Sequence, residues 1–222
     1  MGIDITFDIS DNELKRLEEA IIKQVGENIQ RNLNINKQRI LNKLRAYLEE
    51  VFWNNKIVKN LQSDSPDGLR ADVGVEANEM KTILTQILDA LKRGIYIQEF
   101  RVQKLGSDFK LISKLTMVKE NYSDILSVEG TSYPSNGYDI EWLKWILYNA
   151  GEFVLLTQHR ILRHLKERDK HKSRSGLALM VKSNNSVWRV PSWVFDVGHK
   201  NFITVIAEKV EAKLTEFVEE EL

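Results

Sequence analysis

The sequence predicts an α+β protein: a central antiparallel-rich sheet flanked by helices, with a long N-terminal helix or helix pair and a C-terminal helix. Three observations carry that prediction. Apolar residues recur at helical spacing over residues 11 to 53, and again from Phe202 to Phe217. Short alternating or continuous apolar runs, the mark of strands, gather between residues 69 and 191. Hydrophobic residues make up 42 % and charged residues 29 %, the balance of a chain with a packed core rather than a disordered one. The 222 residues divide into an N-terminal strand and long helical region over 1–60 and an α+β domain over 61–222.

Taken in order, Ile3, Ile5, Phe7 and Ile9 alternate with polar residues as a half-buried strand does. Ser10 and Glu13 then have the spacing of a capping box, which opens a helix. Leu14, Leu17, Ile21, Val25, Ile29 and Leu33 continue it. Past a soft Asn34-Ile35-Asn36, so do Ile40, Leu44, Leu48 and Val51. A stripe this long and narrow suits packing on another subunit as well as on its own domain. Residues 54–68 read as a loop, and the alternation Leu69, Ala71, Val73, Val75 reads as a strand. Met80, Ile83, Leu84, Ile87, Leu88 and Leu91 make an amphipathic helix that Gly94 ends.

Ile95 and Ile97, then Phe100 and Val102, alternate with one slip of phase. With the return through Phe109 to Met117 they predict a bulged β-hairpin across 95–118. A Ser/Gly/Pro/Asn-rich linker fills 127–138, and Asp139 is the expected N-cap of an apolar helix carrying Trp142, Leu143, Trp145, Ile146 and Leu147. Gly151 stops it, and Phe153–Leu156 reads as an interior strand. Leu177–Val181, a polar turn Ser183–Ser186 and the return Val187–Pro191 predict a second hairpin. The last helix begins near Asn201 and ends in Glu219-Glu220-Glu221. Those like charges oppose the helix dipole, so the last turn is expected to fray or to pair with a partner.

Composition narrows the function. Lys+Arg and Asp+Glu both number 32, and the zero net charge argues against a dedicated nucleic-acid binder. The absence of cysteine excludes disulfide scaffolds, thiolate metal sites and thiol nucleophiles. Met1–Asp8 has neither a basic region nor an apolar run, so a signal peptide is not expected, and no stretch of about 18 apolar residues predicts a membrane span. A cytosol-like compartment follows.

One segment departs from the even balance. Arg160, Arg163, Lys166, Arg168, Lys170, Lys172 and Arg174 face only Glu167 and Asp169, in a predicted basic loop over 159–176. Such a loop neutralises DNA phosphates without reading sequence, or meets an acidic protein surface such as the Glu219–Glu221 tail of another copy, or is simply solvated. Ile161, Leu162 and Leu165 within it point to partial structure. His159, His164, His171 and His199 lack the spacing of a metal site on a helix. Asp67 with Glu79 and Lys81 loosely matches a metal-dependent nuclease. That chemistry needs Glu and Lys on one face of a strand, whereas this stretch is helical and its i and i+2 residues point apart. No catalytic residue, metal site or cofactor is expected. Of the five tryptophans, Trp53, at the end of the long helix, is the candidate for an interface.

Several segments resemble one family in order. Ser173-Arg174-Ser175-Gly176 leads into Leu177–Val181, followed by Trp188-Arg189-Val190-Pro191 and Asn201-Phe202-Ile203-Thr204. Upstream stand Gly137–Leu147 with Trp142 and Trp145, Phe153–Leu156, and Gly68-Leu69-Arg70-Ala71-Asp72-Val73-Gly74. This pattern resembles the tail-completion, or head–tail connector (neck), proteins of tailed bacteriophages, over about residues 60–210 and most specifically 137–206. The bulky Trp193–Gly198 and the strongly basic 159–174 depart from it. The resemblance implies a virion structural protein without turnover, assembled in the host cytoplasm. It would form a homo-oligomeric ring, hexameric or dodecameric, between portal or connector and tail. Its neighbours would be the tail terminator or tail tube, and the genome would pass without sequence-specific contact and with no membrane involved. A tail terminator capping the tube, or a DNA-binding or nuclease protein using 159–174, are the alternatives.

Overall fold

A computed structural model describes residues 11–105, 108–117, 122–135, 138–162, 179–196 and 198–222. The predicted strand at 3–9 and the Ser10 side of the capping box lie outside them. One helix, α1 (Asp11–Asn54), runs 44 residues without a break, about 66 Å at 1.5 Å per residue. The soft Asn34-Ile35-Asn36 does not interrupt it because Asn34 is used sideways. Its side-chain amide donates to the Phe100 carbonyl at 3.1 Å and its oxygen accepts the Phe100 amide at 3.0 Å. One turn earlier, the Gln30 side-chain oxygen accepts the Val102 amide at 2.9 Å. Leu33, Ile40, Leu44, Leu48 and Phe52 are buried along the helix's second half.

Asn55 caps α2 (Lys56–Gln62) by accepting the Ile57 amide. The predicted strand at 69–75 is instead a short helix, α3 (Leu69–Val73), closed by Gly74 in the left-handed region at φ 73°. Alternation signals a strand only where one face meets water. Here Arg70 and Asp72 are buried as fully as Leu69, Ala71 and Val73, so the polar–apolar pattern does not report a solvent face. Arg70 is made tolerable by donating to the Ser63 carbonyl and pairing with Asp64. α4 (Ala77–Gly94) buries the predicted stripe. Gly94 is required there, since a Cβ would collide with the Met117 carbonyl oxygen.

The predicted hairpin at 95–118 is present as two antiparallel pairings. β1 (Tyr96–Ile97) pairs with β4 (Leu115–Thr116), and β2 (Arg101–Leu105) with β3 (Asp108–Ile112). The phase slip falls at 98–100, where the chain breaks step to meet Asn34. After α5 (Ser123–Leu126), part of the predicted linker is ordered: β5 (Tyr133–Ser135) pairs with β6 (Tyr138–Ile140). Buried Thr131 donates to the Leu126 and Val128 carbonyls. Asp139 is not the helix cap, because it lies within β6 opposite Pro134 and Glu141 takes the cap position of α6 (Trp142–Tyr148).

β7 (Phe153–Leu162) and β8 (Leu179–Arg189) form a long antiparallel ribbon. This corrects the predicted second hairpin, since Ser183–Ser186 lies inside one continuous strand. The register jumps from Leu156↔Ser186 to Gln158↔Ser183. Asn184 and Asn185 therefore oppose Thr157 alone, and the turn-forming residues are absorbed in a bulge. A 3-10 turn (Ser192–Val194) leads to α7 (Phe202–Glu219), which Asn201 caps by accepting the Thr204 amide.

Among the described residues every sheet is a pair of strands. The expected central sheet is replaced by a mainly helical body in which the second half of α1 with α2, α4, α6 and α7 shares one apolar core. The strands pair off because each partnership is antiparallel and local, and the core that a sheet would have covered is closed by helices instead.

Candidate functional site

Two features leave this body. The first is the start of α1. From Asn12 to Val25 every residue is exposed, a free length of about 21 Å. At Gly26 Val102 closes in, and Gln30 and Asn34 bond to the backbone of Val102 and Phe100. On the free length Leu14, Leu17, Ile21, Ile22 and Val25 remain 44–57 % exposed. They continue the line of apolar residues that is buried from Leu33 onward. At 100° per residue they fall within one arc of about 140°, with Glu18 inside it between Val25 and Ile22; Glu13 lies beyond Leu17 and Lys15 beyond Ile22, while Arg16 and Lys23 lie on the far side. Lys23 sits 3.9 Å from Glu27 there.

The second is the β7–β8 ribbon. Its base is tied to the body through backbone and rings. Gly151 and Val190, and Val190 and Glu152, exchange backbone hydrogen bonds of 2.9 Å. The Trp145 and Trp188 ring centroids are 6.1 Å apart. Arg189 donates to the Gly151 carbonyl and lies over the exposed Phe153 ring. Arg160 stands in β7 opposite Val181. Arg163, Lys166, Arg168, Lys170, Lys172, Arg174 and Gly176 lie outside the described residues, as do His164 and His171.

Of the residues that carried the resemblance, Trp142 lies in α6, Asn201 caps α7 and Pro191 follows β8, while Gly68–Gly74 spans α3. Trp142 is fully buried and its indole N–H donates to the Gly130 carbonyl at 2.7 Å. Asn201 caps α7 while its amide donates to the Tyr122 hydroxyl at 2.9 Å and the Leu147 carbonyl at 3.2 Å. Pro191 is half-buried just after β8. Trp53 is engaged by its own chain: it is half-buried and packs edge-on against Phe52 at 5.2 Å.

The acidic tail is also paired within the chain. Lys43 reaches Glu220 at 2.8 Å and Glu221 at 2.6 Å, and Arg39 reaches Glu221 at 3.3 Å. Hydrogen bonding to the two carboxylates raises the Lys43 pKa, and the Lys43 ammonium lowers that of Glu221. The like charges, expected to fray the last turn or to pair with a partner, are instead paired with cations on α1 of the same chain. Sequence reading missed these cross-chain partners and the Asn34 and Gln30 contacts, because each joins residues far apart in the chain.

Glu79 and Lys81 stand in the α4 helix, so the nuclease-like arrangement of a strand is not formed. Among the described residues no group of three or more His, Asp or Glu is placed to hold a metal ion, and no helix is long and apolar enough to cross a membrane. No family model, curated protein or solved structure matches this chain.

Proposed function

We propose that this chain is a structural protein of virus assembly, a subunit of the ring in the neck of a tailed bacteriophage that joins portal or connector to tail and lets the genome pass. The observation that carries the reading is the exposed first third of α1. Five large aliphatic side chains gathered on one side of an exposed helix, around Glu18, are the kind of feature that marks an interaction surface. The ordered sequence resemblance supplies the particular assembly. A ring arises when a head-to-tail contact closes on itself by rotation. Balanced charge suits a lumen through which DNA must slide without being held. In this role the chain docks and performs no turnover.

Mass photometry and negative-stain imaging of the purified chain test the reading. Closed rings of uniform copy number are expected. Deleting residues 168–176 should leave a folded subunit, by circular dichroism and melting, that no longer assembles. A monomer that cuts DNA with Mg²⁺ and loses that activity on Asp67→Ala would overturn the reading. Salt-dependent DNA affinity abolished by neutralising Arg160, Arg163 and Arg168 would favour a DNA-binding module instead. Capture of tail-tube protein without portal would favour the terminator position.

A further inference from the structure

We propose that a cleft between the α1–α2 junction and the start of α7 is a docking site for an acidic peptide segment of a partner protein, which places one apolar side chain inside it and carboxylates at its rim. The cleft has a volume of about 310 Å³, at the small end of ligand pockets. Ile57, Val194 and Phe202, all buried, and half-buried Val205 give it an apolar lining. Three elements distant in sequence meet there: the start of α2, the 3-10 turn and the first turns of α7.

The rim is basic. Lys56, Lys200 and Lys209 line the cleft with one carboxylate, that of Asp196. Lys200 is already paired with Glu208 at 2.6 Å. The Asn54 side-chain oxygen accepts from Lys59 and that of Asn55 accepts the Ile57 amide. Lys56 and Lys209 differ: both are exposed, and among the described residues neither has a carboxylate partner. The sequence offers none locally, since no acidic residue lies three or four positions from either.

Two uncommitted ammonium groups beside an apolar cleft select an anion that carries an apolar group. A free small molecule of this kind needs most of its surface enclosed, whereas the lysines here stand exposed at the rim. A peptide meets the geometry: one side chain fills the cleft as an anchor, the backbone stays outside, and neighbouring carboxylates reach the lysines. Nucleic acid suits it less well. Base stacking needs an open aromatic face, and Phe202, the ring in the lining, is 3 % exposed.

The test uses the full-length chain and a short fluorescein-labelled peptide with phenylalanine flanked by aspartates, read by fluorescence anisotropy. Saturable binding in the micromolar range is expected. Lys56→Glu combined with Lys209→Glu should weaken it by about tenfold or more, and the melting temperature should stay at the wild-type value because both side chains are exposed. A peptide with glycine in place of phenylalanine, and one with asparagine in place of aspartate, should each bind about tenfold more weakly as well. Absence of saturable binding, unchanged affinity in the double variant, or equal binding of the glycine peptide would overturn the site. So would a single-stranded oligonucleotide held more tightly through the same two lysines, which would make the cleft a phosphate contact. Peptide binding is read whether the chain is monomeric or assembled, so its failure leaves the ring reading untouched.

Discussion

Lys43 on α1 and Glu221 beyond the end of α7 stand 2.6 Å apart, joining two helices that lie 177–182 residues apart in sequence at this point. The pair anchors the last turn of α7, whose Phe217 also meets Tyr47 edge-on at 6.3 Å. Lys43→Met is expected to leave the core intact and to speed amide exchange over residues 214–222, read by hydrogen–deuterium exchange. The lowered Glu221 pKa means its contribution is present above the unfolded carboxylate value and lost as pH falls through the folded one. The raised Lys43 pKa places the other limit in the alkaline range, where the contribution is lost as pH rises through the folded lysine value. The exchange rate of this segment should therefore be lowest near neutrality, rising in acid and in strong alkali, and rising with salt.

Asn34→Ala removes both hydrogen bonds to the Phe100 backbone. Two bonds at about 1 kcal/mol each outweigh the roughly 0.7 kcal/mol that alanine gains in helix propensity. A net loss of about 1 kcal/mol is expected in urea unfolding, with faster amide exchange at Phe100. No loss would mean that the body does not use α1 to hold the strand.

Gly94→Ala sets two effects against each other. Alanine favours the helix by about 1 kcal/mol, whereas its methyl group enters the space of the Met117 carbonyl oxygen. The obstacle is backbone, which gives way only by separating β1 and β4, so destabilisation of about 1–3 kcal/mol should prevail. Thermal melting gives the sign directly.

Asn201→Ala removes the α7 cap and leaves the Leu147 carbonyl and Tyr122 hydroxyl without this partner. Loss of the cap costs about 1 kcal/mol and an unmet buried polar group about 1–3 kcal/mol. A decrease of about 2–3 kcal/mol is expected. Asn201→Asp, which keeps the cap oxygen but not the amide donor, should recover the capping part alone.

How much of this was legible depended on whether burial had a direction. The helices through Leu33–Phe52, Met80–Leu91 and Phe202–Val210 each bury one face, and their spacing gave them away. Leu69–Val73 is buried all round, so its accidental alternation misled. Asn184-Asn185 has turn composition but serves a bulge, a choice made by the partner strand. Pairing of strands in twos was hidden because alternation marks a strand without naming its neighbour. The exposed apolar face of α1 was visible in outline as an overlong stripe on the first helix. What separates its free part from its buried part is a set of contacts from Gly26, Gln30 and Asn34 to the strand beginning at Arg101, which no local pattern encodes.

The continuity of α1 has a mechanical consequence. Because the helix does not break, its exposed start and its anchored remainder are one rod. Leu14 lies 12 residues before Gly26, a lever arm of about 18 Å. A force applied at Leu14 by a moving neighbour is a torque about the contacts of Gly26, Gln30 and Asn34, and the stiff helix carries what they do not absorb on to the Lys43–Glu221 clasp.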